Sequence, residues 1–190
     1  MNEEHLRLCA SAEWAATVEN EILPWALHGR ELGDNVLEVG PGPGLTTAVL
    51  SRMVPSLTAV EVDTELAAAL AERMAGSNVE VVHADATTMP FENARFSTAT
   101  CFTMLHHVPS PELQDRLMGE VRRVLRPGGV FIGVDSIQSP EWWELHRGDT
   151  CVPVDPAGLR ARLLRVGFSD AEVELSTPAP PRRFRFAAIC

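Results

Sequence analysis

The stretch that most constrains this chain is VLEVGPGPGL, residues 36–45. A run of mostly apolar residues, broken only by Glu38, passes straight into Gly40, Gly42 and Gly44, with Pro41 and Pro43 between them. A buried strand closed by a glycine turn is how α/β folds bring backbone close to a nucleotide-like ligand, with the next helix starting at the turn. The stretch therefore predicts a strand at 35–39 and a helix from 44 to 53.

Strand and helix signals keep alternating downstream. SLTAVEV (56–62) and VEVVHA (79–84) are β-branched and apolar, FSTATCF (96–102) is rich in Thr and aromatic residues, and VFIGVD (130–135) reads as a fifth strand. Between them, TELAAALAERMA (64–75) is rich in helix formers behind Asp63, a good N-cap. PELQDRLMGEVRRVL (111–125) repeats Leu113, Leu117, Val121, Val124 and Leu125 on one helical face, ending at Pro127 and Gly128-Gly129. A helix at 156–166 and two last strands, AEVEL and FRFAAI, follow. This alternation predicts an α/β fold, Rossmann-like and doubly wound, with a mostly parallel sheet and helices on both faces. Ligands of such sheets sit outside the carboxyl ends of the strands, so the loops after the strands are the ones to read for chemistry.

Two segments stand outside the alternation. Residues 1–30 read as helical, with Trp14, Val18, Ile22 and Trp25 on one face and Pro24 interrupting. Residues 136–156 form an irregular insertion holding Trp142, Trp143, His146, Asp149 and three prolines. Both are expected to flank the binding pocket, the first as a lid and the second on the substrate side.

A chain of 190 residues fits one domain, 1–190. Its net charge of −10 argues against nucleic-acid partners, which call for clustered basic residues, and against an anionic membrane surface. Cys9, Cys101, Cys151 and Cys190 form no CxxC pair, so no metal site is expected and the thiols read as free in a reducing compartment. The N-terminus lacks an apolar signal core, and the expected location is cytoplasmic.

The glycine turn departs from the dinucleotide fingerprint GxGxxG, because Leu45 occupies the last glycine position and Gly44 comes one residue early. Glu38 adds a carboxylate near the place a diphosphate would take, which repels phosphate and suits a cation. S-adenosylmethionine carries sulfonium and ammonium groups and no phosphate. With VLEVGPGPG (36–44), AVEVD (59–63), HADATTMPF (83–91), MLHHV (104–108) and RVLRPGGVF (123–131) in this order, the chain resembles the class I S-adenosylmethionine-dependent methyltransferases. Within them it is most similar to the small-molecule group that includes the ubiquinone and menaquinone biosynthesis methyltransferases. The motifs cover about residues 35–135.

That resemblance implies a seven-stranded sheet and S-adenosylmethionine as cofactor, leaving S-adenosylhomocysteine as product. It implies that backbone at Gly40, Pro41 and Gly42 faces the methionyl part, beside Glu38. Glu61 stands 21 residues after Gly40, close to the spacing of about 20 for an acid that accepts from both ribose hydroxyls. It is assigned to the ribose with Val62 beside it, and Asp63 to the helix cap. Asp85 and Ala86 are assigned to the adenine, and Cys101 and Phe102 to the loop bordering the adenosine.

Of His106 and His107, just past the fourth strand, His106 is the candidate general base, with a structural role as the alternative. Trp142 and Trp143 are either an apolar wall for a flat acceptor or anchors for the insertion. The expected function is methyl transfer to a small-molecule acceptor by in-line displacement. The alternatives are an NAD(P)-dependent oxidoreductase, disfavoured by Leu45 and by the absence of any Tyr, and a non-catalytic S-adenosylmethionine-binding module.

Overall fold

Val36, Leu37 and Val39 are each 0% exposed, so β1 (Asn35–Val39) is covered on both faces, as a central parallel strand is. The computed structural model describes residues 2–179 and 181–190. Around β1 it arranges β2 (Ser56–Glu61), β3 (Val79–His83), β4 (Phe96–Phe102), β5 (Leu125–Ser136), β6 (Asp170–Leu175) and β7 (Arg183–Ile189). They form one seven-stranded sheet in the order β3-β2-β1-β4-β5-β7-β6. The first five strands pair in parallel, and β7 pairs antiparallel with β5 and β6. The expected doubly wound α/β fold is thus present. Strand order reverses between β1 and β4, which makes their carboxyl ends the place for a ligand.

Among the described residues, eight α-helices surround the sheet: α1 (Glu3–Cys9), α2 (Ala12–Thr17), α3 (Leu23–Leu27), α4 (Leu45–Leu50), α5 (Thr64–Arg73), α6 (Pro111–Val124), α7 (Pro140–Leu145) and α8 (Pro156–Arg165). On one face Leu117, Val121, Leu159 and Leu163 of α6 and α8 pack on Leu37, Val39, Ala99, Cys101 and Phe131. On the other, Ile22, Leu23, Leu27 and Leu50 pack on Val36, Leu57, Phe102, Ile132 and Val134. Neighbouring residues along each strand thus serve opposite cores, as the pleat requires. No described helix is long and apolar enough to cross a membrane.

The N-terminal helix expected over 1–30 is divided. Ser11 breaks it by capping α2, its side chain accepting the Trp14 amide. Ahead of Pro24 the backbone widens into a π-turn, Val18–Ile22, and the Leu23 amide reaches back to Val18. Proline has no N–H for an α-type bond and its ring crowds the preceding turn, and the wider turn accommodates both. The insertion, expected to be irregular, contains α7, capped by Ser139.

Candidate active site

The carboxyl ends of β1, β2 and β4 open into a cavity of about 450 Å³, within the usual size range of cofactor sites. Gly40 and Gly42 on its wall, and Gly44 just behind them, have φ of 64°, 54° and 78°, the left-handed region that strains any side chain. The curl is held by the Gly40 amide donating to Val60 O and the Gly44 amide to Pro41 O, both at 2.9 Å. A Cβ on Gly40 would stand 2.3 Å from the Met104 side chain, so the turn lies directly against the loop after β4.

Glu61, at the end of β2, lines the cavity and braces the turn. One carboxylate oxygen accepts the Gly42 amide at 2.9 Å and the other the Asp63 amide at 3.0 Å. Each oxygen keeps a second lone pair for a ligand hydroxyl. Asp63 caps α5, accepting the Glu65 and Leu66 amides at 2.9 and 3.0 Å. Pro41, Val62, Asp85, Ala86 and Phe102 also border the cavity. Asp85 accepts the Thr87 amide at 2.8 Å, which fixes the loop after β3.

Three expected site residues do not reach the cavity wall. Glu38 lies on the face of β1 covered by α4 and is 1% exposed. Its carboxylate accepts the Thr46 hydroxyl and, at 2.6 Å, that of Thr47. Burial pushes this carboxyl up to about 7, against the pull of the two threonines. Glu38 thus stands behind the cavity wall, not beside the ligand position where the sequence reading places it. Cys101 alternates with Phe102 along β4 and points into the opposite core, where burial holds its thiol protonated. His106 is 2% exposed, with its backbone amide donating to Asp135 at 3.1 Å and its Nδ1 2.5 Å from the same carboxylate. The ring that borders the cavity is that of His107.

Sequence reasoning placed residues 1–30 beside the pocket but did not single out His5, Cys9 or Thr150. His5 and Cys9 line the cavity from α1, and their spacing of four on one helical face was the signal that offered them. Thr103 has φ of 50°, an outlier for a β-branched residue, with its amide tied to Val134 O at 2.7 Å. Trp14, Val18, Ile22 and Thr150 complete this side of the wall. Trp142 is instead buried against the rings of His106 and His146, and Trp143 stacks edge-on against it from outside, so the pair anchors the insertion.

Residues 36–129 match the family model described as a methyltransferase domain. Nodulation protein S of Azorhizobium caulinodans is 33% identical over 123 residues, covering 65% of this chain and 58% of that protein. A demethylmenaquinone methyltransferase of Clavibacter sepedonicus is 30% identical over 120 residues, covering 63% of this chain and 45% of its own. The chain thus spans about half the length of these curated relatives. The crystal structure of a SAM-dependent methyltransferase from Aquifex aeolicus has the same fold, with a TM-score of 0.71 at 16% identity over 100% of this chain and 98% of that one. The matched segment holds the glycine turn, Glu61, Asp85 and Phe102, and on that basis the chain belongs to the class I S-adenosylmethionine-dependent methyltransferases.

Proposed function

We propose that the cavity holds S-adenosylmethionine against the glycine turn and that its methyl group passes to a small-molecule acceptor at the opposite end. The observation that carries this reading is one continuous cavity with two kinds of wall. Gly40, Glu61 and Asp85 lie inside the matched segment, whereas His5, Cys9, Trp14, Ile22 and Thr150 lie outside it. In this reading the N-terminal helices and the insertion form the acceptor side of one methyltransferase domain.

The wall fits the cofactor chemically. Glu61 keeps lone pairs for a pair of ribose hydroxyls, and the turn brings bare backbone to the ligand. No arginine borders the cavity among the described residues, although a diphosphate would call for one. The cofactor supplies a methyl group on a sulfonium, and the chain's task is alignment, which alone lowers a barrier by about 7–11 kcal/mol. Trp14, Val18, Ile22 and Phe102 exclude water from the transfer path. Burial and the nearby His106 hold the His107 imidazole down at about 3, and burial pushes the Cys9 thiol up to about 11. Neither is a strong base or nucleophile at neutral pH. The acceptors favoured are those that need little help in losing a proton, such as an acidic phenol or a stabilised carbanion.

Calorimetric titration with S-adenosylmethionine and S-adenosylhomocysteine tests the reading. Binding of both in the micromolar range is expected, and if neither binds the reading fails. Turnover on a panel of phenolic and enolic acceptors separates an enzyme from a module that only binds the cofactor.

A further inference from the structure

Four histidines converge beside the cavity from well-separated stretches: His5 on α1, His106 and His107 after β4, and His146 just past α7. Ring centroids lie 4.4 Å apart for His5 and His146, 5.2 Å for His5 and His107, and 5.4 Å for His107 and His146. In each ring Nδ1 meets an acceptor. His5 meets the Asp149 carboxylate at 3.1 Å and His106 that of Asp135 at 2.5 Å. His107 meets the Thr150 carbonyl at 3.1 Å and His146 the Trp142 carbonyl at 2.6 Å. A neutral ring that donates from Nδ1 presents a lone pair on Nε2, and this is how proteins orient imidazoles toward a metal ion.

Two features mark the cluster as able to take up positive charge. The Nε2 atoms of His106 and His146 face each other at 3.2 Å, a contact that calls for a proton on one of them or positive charge beside them. The Nε2 of His107 is buried without a hydrogen-bond partner, which is costly unless something else binds there.

We propose that His5, His107 and His146 are the ligands of a divalent cation of the zinc class, with an open coordination position facing the cavity. One ligand atom from each lies within 4.8 Å of the others. Three nitrogens at 2.0–2.1 Å from a tetrahedral zinc stand about 3.3 Å apart, so modest side-chain rotation closes the triad. Imidazole suits zinc and its transition-metal neighbours. A second set, His106, His146 and Cys151, is equally close, but none of its three members lines the cavity, whereas His5 and His107 do. Because His5 and His107 line the cavity, an acceptor oxygen or sulfur bound to the ion would be anchored at the acceptor end and made easier to deprotonate. That last role rests on the methyl-transfer reading; the ion site does not. The absence of a CxxC pair had pointed away from metal, and the triad escapes sequence because its members meet only in the folded chain.

The test uses the full chain, stripped with a chelator and dialysed, then titrated with Zn²⁺ by calorimetry and with Co²⁺ by visible spectroscopy. One ion per chain and the absorption bands of tetrahedral Co²⁺, displaced by Zn²⁺, are expected. His107→Ala should weaken binding by at least about 100-fold, and Asp149→Asn, which removes the carboxylate behind His5, by about 10–100-fold. His28→Asn, at an exposed histidine elsewhere, should change nothing. Absence of stoichiometric uptake by the wild-type chain overturns the site whether or not the variants fold, as does uptake unchanged in His107→Ala. Titration of the same samples with S-adenosylhomocysteine separates the two readings. Cofactor binding without metal uptake leaves methyl transfer standing and removes the ion, and metal uptake without cofactor binding does the reverse.

Discussion

Glu61 and Glu38 lie at or near the ends of adjacent strands with the same functional group and meet opposite surroundings. Glu61 accepts two backbone amides and faces the cavity, so removing its carboxylate withdraws both the brace on Gly42 and the ribose contact proposed for it. Glu61→Ala is expected to weaken S-adenosylhomocysteine binding by more than about tenfold, the worth of one charge-assisted hydrogen bond or more. An unchanged calorimetric Kd would remove Glu61 from the site. Glu38 acts on stability instead. Its folded pKa, about 7, lies above the ordinary carboxylate value of 4.5, so the folded chain holds a proton that the unfolded chain gives up. The stability linked to that proton is full below pH 4.5 and is lost as pH rises toward 7, by at most about 3 kcal/mol. Glu38→Gln should therefore gain on the wild type in thermal midpoint between pH 5 and 8, and parallel pH curves would refute the assignment. The spacing of Glu61 after the turn was legible in the sequence. The direction of Glu38 was not, because a strand buried on both faces carries no polar alternation to mark which side meets α4. Choosing between His106 and His107 likewise depended on Asp135, which lies one strand away in space and far along the chain.

At the scale of elements, strong local signals were legible and tertiary ones were not. β1 to β4, α5 and α6 follow periodicity and caps closely, since each is specified by its own residues. α6 nevertheless buries Gln114, a residue no apolar stripe would select, because its side-chain amide donates to Leu105 O at 3.2 Å and Val152 O at 2.9 Å. β5 begins at Leu125, ahead of the glycine pair, because that residue already pairs with Phe96 across a register irregularity. α5 allows the two neighbouring acids to be separated experimentally. Asp63 caps it with its side chain and supports Glu61 only through its backbone amide. Asp63→Ala should cost about 1 kcal/mol of stability in chemical denaturation, the usual loss for a cap, while changing cofactor affinity far less than Glu61→Ala does. An affinity loss as large as that of Glu61→Ala would transfer the ribose contact to Asp63.

Across the whole molecule, the N-terminal segment that reads from sequence as a lid divides into two parts with different duties. α1 buries only His5 and reaches the cavity wall and the insertion, where Asn2 donates to Leu145 O at 2.8 Å. Val18, Ile22, Leu23 and Leu27 are each at most 5% exposed and form the cover over Val36, Leu57, Ile132 and Val134. Four such side chains, at about 1.5–3 kcal/mol each, amount to a sum comparable with the about 5–15 kcal/mol that holds a typical domain together. Deleting residues 2–10 should therefore leave a cooperative thermal transition and cofactor binding in place, while abolishing the ion site by removing His5. Deleting residues 2–27 should strip one face of the sheet, abolish the cooperative transition and raise binding of a hydrophobic dye. A sharp transition in the longer deletion would mean that the whole segment is a detachable lid and that α4 alone can cover that face of the sheet.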